Sequence, residues 1–309
     1  MPDLEKMEME KTLSTHTEDS FVIAIDKEEK AANRVDFELA MKDLKKVARE
    51  GITMAGGPVA ILLQIAHPAV GQGVADHSTF NSRAISRAQY TQMYIYTMIF
   101  GNEQEKAAVK AWVDGAHARV VADGKVAYNA TDPELQLWVA TTIYACMVAM
   151  YELTHGPLPP AKAERVYQAF SVMGTSLQMP REMWPKDLRA FKVYWKDMIE
   201  NHLRVTPEAR GVYKDLFHPT GLPLWLRTIF VIVRPFLRPI VIEQLPPEIR
   251  EQFHMKSTKK TRAIAGLFIS GMTSIYPFIP LPIRQVQKTY NMRLLRKRMK
   301  KRGGQLVRQ

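Results

Sequence analysis

The segment TDPELQLWVATTIYACMVAMYEL (residues 131–153) decides the fold class of this chain. Thr131 or Asp132 can cap the start of a helix. Pro133 then suits the first turn, and Glu134 can complete a capping box. The residues that follow are uncharged and leave no polar face, and such a helix belongs in the middle of a bundle. The uncharged stretch is at the lower length limit for a membrane span, so a buried core helix explains it better.

Helical periodicity extends through most of the remaining chain. Strand signals are scarce, because Asp123-Gly124 is followed only by a short polar stretch and no hairpin turn separates alternating apolar runs. The pattern predicts an all-α fold with one large bundle, preceded by a polar arm and followed by a basic helix or tail. After Pro219 we expect short helices, divided by prolines, that wrap the bundle. The predicted divisions are the arm at 1–34, the bundle at 35–283 and the basic region at 284–309, with individual helices at 82–100, 103–121, 161–173 and 185–203.

The composition is that of an ordinary globular protein, with 46% hydrophobic and 24% charged residues. Cys146 is the single cysteine, which excludes an intramolecular disulfide framework and a cysteine-based zinc site. The formal net charge is +12, and most of it comes from residues 284–309, which hold ten basic residues and no acid. The rest of the chain is therefore close to neutral.

The basic region at the C-terminus has two interpretations. It is typical of attachment to an anionic surface, either a membrane or a nucleic acid, and equally of a solvated final helix. The near-neutral body and the lack of a recognition motif argue against nucleic acid. Residues 263–283 are apolar but interrupted by glycines and prolines, which predicts a kinked segment lying on a surface. The charged first residues do not form a signal peptide, so we expect an intracellular protein, cytoplasmic or peripherally membrane-associated.

Histidines carry the chemistry of this sequence. His67 and His77 lie in QIAHPAVGQGVADHS (residues 64–78), and His117 shares a helix face with valines at 109, 113 and 120. Three explanations remain open: a histidine–carboxylate metal site, a haem with an axial histidine, or core histidines satisfied by hydrogen bonds. Metalloprotease, di-iron, P-loop and serine-hydrolase motifs are missing, which leaves the histidines and Arg87 as the chemical centre.

Several motifs in fixed order resemble one known family. They are QIAHPAVGQGVADHS with the following Phe80, RAQYT (residues 87–91), the helix carrying His117, and YNATDPELQLWVATTIYACMVAMYE (residues 128–152). Together, over residues 54–218, they are similar to the haem oxygenases typified by bacterial latex-clearing proteins and the fungal ER-bound oxygenase of mycophenolic acid biosynthesis. The resemblance implies a helical fold that encloses one haem b.

The resemblance also implies roles for individual residues. His117 matches the proximal iron ligand, and O2 would bind at the iron on the opposite side. Arg87 and Thr91 match an Arg-x-x-Lys-Thr segment. Arg87 would be buried near the haem, where an uncompensated charge is expensive, and would pair with a propionate or an oxygen-derived ligand. The lysine of that segment is replaced by Tyr90, which would position substrate or oxygen; an ordinary helix tyrosine is the alternative.

The glycine-containing segment before RAQYT is expected beside the haem, as a turn and a helix start. Gly71 and Gly73 would permit close backbone approach. His67 and His77 would hydrogen-bond the propionates and Asp76 would orient one of them, while structural capping is the alternative.

The function implied by the resemblance is oxygenation or cleavage of an alkene in an apolar substrate, an isoprenoid or a secondary metabolite, using O2. The 17 methionines suit an adaptable apolar pocket as well as an ordinary core. A non-catalytic haem-binding or lipophile-binding protein is the alternative function.

Overall fold

The computed structural model describes residues 36–77, 80–123, 126–218 and 224–306. Helices dominate these residues and confirm the all-α prediction, while the predicted arm at 1–34 lies outside them. The helices are α1 (36–48), α2 (Gly57–Ala66), α3 (Pro68–His77), α4 (Phe80–Phe100), α5 (Glu103–His117), α6 (Pro133–His155), α7 (Pro160–Phe170), α8 (Val172–Thr175), α9 (Leu188–Asp197), α10 (Pro207–Phe217), α11 (Leu224–Gln244), α12 (Pro247–Gln252), α13 (Lys259–Ile275), α14 (Leu281–Arg284) and α15 (Val286–Lys301). Short 3₁₀ segments lie at Gly51–Gly56, Arg181–Met183 and Tyr276–Phe278, and a π-helical turn lies at Met198–His202.

Helix α6 is the centre of the bundle, as its sequence predicts. It packs against the first 3₁₀ segment, α2 and α13. Trp138 is 0% exposed, and its indole donates a hydrogen bond to the Leu63 carbonyl at 3.1 Å. Asp132 caps the helix by accepting from the Glu134 amide. The predicted capping box is not formed, because Glu134 occupies the second helical position and the box requires the third.

Helix α6 is also long and apolar enough to cross a membrane, and 61% of its most hydrophobic window is buried inside the protein.

Helix α5 ends at His117, four residues before the predicted end. Its next residues form a turn that leads into a two-residue antiparallel pair, β1 (Val121–Ala122) and β2 (Tyr128–Asn129). Strands this short have no detectable periodicity, so the sequence pattern did not predict them.

A sharp bend of 107° separates α2 together with its preceding 3₁₀ segment from α3. His67 is extended because it precedes Pro68, whose ring disfavours a helical conformation there. Gly71 then lies so close to the end of α2 that a Cβ atom on it would be 2.5 Å from the Ile65 carbonyl oxygen. The bend therefore depends on both the proline and the glycine.

The basic C-terminal helix is part of the packed bundle. Helix α15 packs against α4, and Leu295 is 0% exposed in the main core. Arg296 donates to the largely buried Glu105 of α5 at 2.7 Å.

Helices α11 and α13 correct the expectation of short helices after Pro219. Helix α11 has 21 residues and contains Pro235 and Pro239, and it packs along α13. A proline inside a helix removes one backbone hydrogen bond. Most of α11 before Pro239 is exposed, so water can satisfy the freed carbonyl groups.

Candidate functional site

His117 is the last residue of α5, and the start of that helix is firmly fixed. Asn102 and Glu105 form a capping box, with each side chain accepting a hydrogen bond from the other residue's backbone amide at 2.8 and 3.0 Å. Val109 and Val113 are buried on the same face, as the spacing predicted. This face therefore directs His117 toward the protein interior.

The His117 ring has an unused nitrogen. Its Nδ1 atom is buried and has no hydrogen-bond partner among the residues that the structure describes. Burial lowers the pKa of His117, Asp114 opposes this shift, and the positive charge of Arg87 adds to it. The imidazole is therefore held neutral, the form in which a ring nitrogen can bind a metal ion.

Asp114, one turn before His117, ties the end of α5 to α6. Lys110 pairs with one carboxylate oxygen of Asp114, and the Gln178 amide donates to the other at 2.8 Å. Gln136 of α6 in turn donates to Gln178 and accepts from its backbone amide. Asp114 could have been found from the sequence, because it lies three residues before His117 on the same side of the helix. No sequence pattern identifies Gln178 as its partner.

Arg87 is close enough to His117 for its charge to lower the histidine's pKa. Its side chain is exposed rather than buried as expected, yet the surrounding protein desolvates the guanidinium and lowers its pKa. The structure thus brings together Arg87 and His117, the two residues predicted to flank the haem.

Tyr90 of α4 contacts residues of two other helices, α5 and α15. Its ring packs edge-on against Trp112 of α5, with centroids 4.7 Å apart, and Arg298 of α15 lies 5.2 Å from its centroid. No hydrogen bond or ring contact in the described parts of the chain joins Tyr90 to His117, and Thr91 is exposed. Trp112 and Arg298 were missed by sequence reasoning because their contacts with Tyr90 are made only by tertiary packing.

His67 lies at the bend after α2, within electrostatic range of His202 and Asp132. Its Nδ1 atom is buried without a hydrogen-bond partner among the described residues, and burial lowers the pKa of the ring. His67 is thus a second neutral imidazole with an unused nitrogen.

His77 and Asp76 lie at the exposed end of α3. The Tyr128 ring packs edge-on to His77 at 5.6 Å, and the Tyr128 hydroxyl donates to Asp76 at 3.1 Å. A Cβ atom on Gly73 would lie 3.1 Å from Tyr128, so this glycine permits close contact with a side chain. The expected turn and helix start lie at the beginning of this segment, since His67 forms the bend and α3 starts at Pro68. Residues 73–77 form the last turns of α3, and Ser78 lies outside the described residues.

An apolar cleft of about 390 Å³ opens beside α6. Its lining residues on α6 lie between Ala145 and Leu153, and none of its lining residues belongs to α5. Its walls include Leu63, Cys146, Met150, Leu153, Phe191 and Trp195. This cleft can hold an apolar molecule or an apolar chain.

The donor atoms around His117 fit a haem. The described residues hold no group of three or more His, Cys, Asp or Glu side chains that could bind a metal ion by themselves. A haem needs only one protein imidazole, because the porphyrin supplies four nitrogen ligands. His117 offers a neutral, desolvated ring, and Arg87 offers a cation for a propionate.

Comparisons with known proteins agree with the resemblance seen in the motifs. The sequence model described as "ER-bound oxygenase mpaB/B'/Rubber oxygenase, catalytic domain" matches residues 44–273. Two mycobacterial relatives, "Uncharacterized protein Mb2261" of Mycobacterium bovis and "Uncharacterized protein Rv2237" of Mycobacterium tuberculosis, are each 39% identical over 171 residues, covering 52% of this chain and 67% of theirs. No solved structure matches.

Proposed function

The chain belongs to the mpaB and rubber oxygenase catalytic-domain family, and from this membership we propose that it is a haem b-dependent oxygenase with His117 as the iron ligand. The observation that carries the proposal is the buried, unpartnered Nδ1 atom of His117 beside the cation of Arg87. A buried ring nitrogen without a hydrogen-bond partner is costly unless it binds something.

The bound haem would supply the redox chemistry with O2. The chain's own residues would bind and orient it. The Asp114–Gln178–Gln136 hydrogen bonds hold the end of α5, and with it His117, against α6. Arg87 would pair with a propionate or with negative charge that develops during the reaction, in a site where its desolvation makes such a pair favourable. His67 is the second candidate for a propionate contact.

The proposed substrate is an apolar alkene, from an isoprenoid or a secondary metabolite. The apolar cleft beside α6 supports an apolar ligand. The same cleft also favours the second candidate function, a lipophile-binding protein without turnover. Formation of an oxygenated product from O2 and a reductant would distinguish the two functions.

The decisive experiment is an absorption spectrum of the purified protein, taken after haem-replete expression, after reduction and after addition of CO. A Soret band that shifts with both treatments is expected. His117→Ala should lose haem, while the matched variant at the exposed His218, His218→Ala, should retain it. His117→Gly with added imidazole should regain a haem spectrum, since free imidazole replaces the missing ligand. Unchanged haem content in His117→Ala would refute the assignment.

Arg87→Ala separates a role in turnover from a role in holding the cofactor. We expect haem to remain largely bound and product formation to slow by about tenfold or more, because one charged partner is lost. The control is Arg83→Ala, one turn earlier in α4 and outside the matched RAQYT motif. Equal kinetics in Arg87→Ala and the unsubstituted protein would reduce Arg87 to a structural residue.

A further inference from the structure

The pair of helices α11 and α13 exposes an unusual amount of apolar surface. The two helices pack against each other, and both leave large side chains in solvent. Leu224 is 79% exposed and Leu267 is 78% exposed, and Val231, Ile232, Phe236 and Ile275 are also exposed. Contiguous apolar surface of this kind marks an interaction site.

The apolar surface continues beyond α13 into the proline-rich turn that leads to α15. Phe278 is 85% exposed, and Ile283 and Val286 are exposed as well. Two contacts with Glu50 fix both ends of this turn to the bundle. Tyr276 is buried and its hydroxyl donates to Glu50, and Arg284 pairs with Glu50 at 3.1 Å. The exposed side chains are therefore presented on a fixed backbone.

A basic groove adjoins this turn. The groove, about 510 Å³, runs between α1 and the start of α15. Lys42, Lys45, Lys46, Arg49 and Lys288 line it with a single carboxylate, Glu38. Burial and the nearby charge of Arg49 lower the pKa of Lys288. A cation desolvated beside another cation is stabilised when an anion binds between them.

The region carries more basic than acidic side chains. No acidic residue follows Glu251 in the sequence, and the charged residues of α11 before Glu243 are three arginines at 227, 234 and 238. A symmetric contact with a second copy would bring these cations against each other. The surface of an anionic membrane complements both the apolar side chains and the cations.

We propose that α11, α13, the turn at residues 276–286 and the basic groove form a docking face for an anionic phospholipid membrane. Phe278, Ile283 and the exposed side chains of the helix pair enter the interface between headgroups and acyl chains. The groove binds headgroup phosphates. The arginines of α11 keep their charged ends at the headgroup level while their apolar stems lie against the acyl chains.

Vesicle sedimentation tests this proposal with the full chain. The vesicles are phosphatidylcholine alone, or phosphatidylcholine with about 30 mol% phosphatidylglycerol to supply the negative surface potential. We expect binding to the anionic vesicles, weakening as salt is raised because the charge contribution is screened. Haem content does not enter this measurement, so failure of the oxygenase proposal would leave its outcome unaffected.

Two variants test the two parts of the face. Phe278→Ser should weaken binding about tenfold through lost apolar burial. Its matched control is Val193→Ser on α9, a side chain that is 68% exposed outside the face and should have no effect. Lys45→Glu should weaken binding by at least about fivefold, the contribution of one cation near an anionic surface. Its control is Lys186→Glu, which is exposed outside the groove.

Four results would overturn the proposal. One is absence of binding to anionic vesicles. Another is an equal loss of binding in Phe278→Ser and Val193→Ser. A third is a dimer in sedimentation velocity that Phe278→Ser converts to a monomer, which would show a second copy covering the face. Preferential binding to duplex DNA over anionic vesicles would likewise assign the cations to a different partner. The substituted residues are exposed, so thermal midpoints should be unchanged.

Discussion

Replacing Leu295 by alanine tests whether the basic C-terminal helix is part of the fold. Leu295 is 0% exposed in the main core, on a helix whose outer surface is strongly cationic. Truncating a fully buried leucine removes its transfer free energy and leaves a cavity, at a total cost of about 3 kcal/mol. A typical domain is stable by roughly 5–15 kcal/mol, so the variant should still fold.

The assay is thermal unfolding followed by circular dichroism. For a chain of this length, about 3 kcal/mol corresponds to a fall of roughly 6 °C in the midpoint. The matched control is Leu294→Ala, the same substitution at the neighbouring half-buried position, which should cost less than half as much. If Leu295→Ala leaves the midpoint within about 1 °C of the parent, α15 is a detachable tail and the reasoning is refuted.

Three further predictions concern the bend before α3, a glycine of α5 and the ion pair that holds α1. Gly71→Ala should destabilise the protein by about 2 kcal/mol or more, since its Cβ atom would meet the Ile65 carbonyl oxygen at 2.5 Å. Gly115→Ala, a helical glycine with nothing within 4 Å of its Cβ position, should stabilise it by roughly 0.5–1 kcal/mol, and chemical denaturation that shows the same sign for both would contradict this. Burial alone would raise the pKa of Asp43, but the hydrogen bonds and charge of Arg165 outweigh it and the net pKa is lowered. The pair therefore stabilises the fold above the ordinary carboxyl pKa, and this contribution is lost as pH falls through the lowered value. Arg165→Met should accordingly lose stability at neutral pH and approach the unsubstituted protein below about pH 4, whereas a deficit independent of pH would point to lost packing instead.

The positions of the site residues show which features helix periodicity can predict. The spacing of Val109, Val113 and His117 correctly directs the histidine inward, because it is local to one helix. The end of α5 at His117 was not predictable in the same way, because the chain leaves the helix to pair β1 with β2. The neighbourhood of Tyr90 was also not predictable, since Trp112 and Arg298 reach it from two other helices.

The sequence by itself determined the fold class, the central helix, the core-directed histidine and the family. Each of these depends on local periodicity or on an ordered set of motifs, and both can be recognised in the sequence without knowing which helices pack together. Only the tertiary structure decided that the basic α15 is packed into the bundle through Leu295, and that Asp114, Gln178 and Gln136 fix the end of α5. It also decided which apolar side chains remain in solvent on α11 and α13. Burial and long-range hydrogen bonds depend on which helices meet, and the periodicity of a single helix does not specify its neighbours.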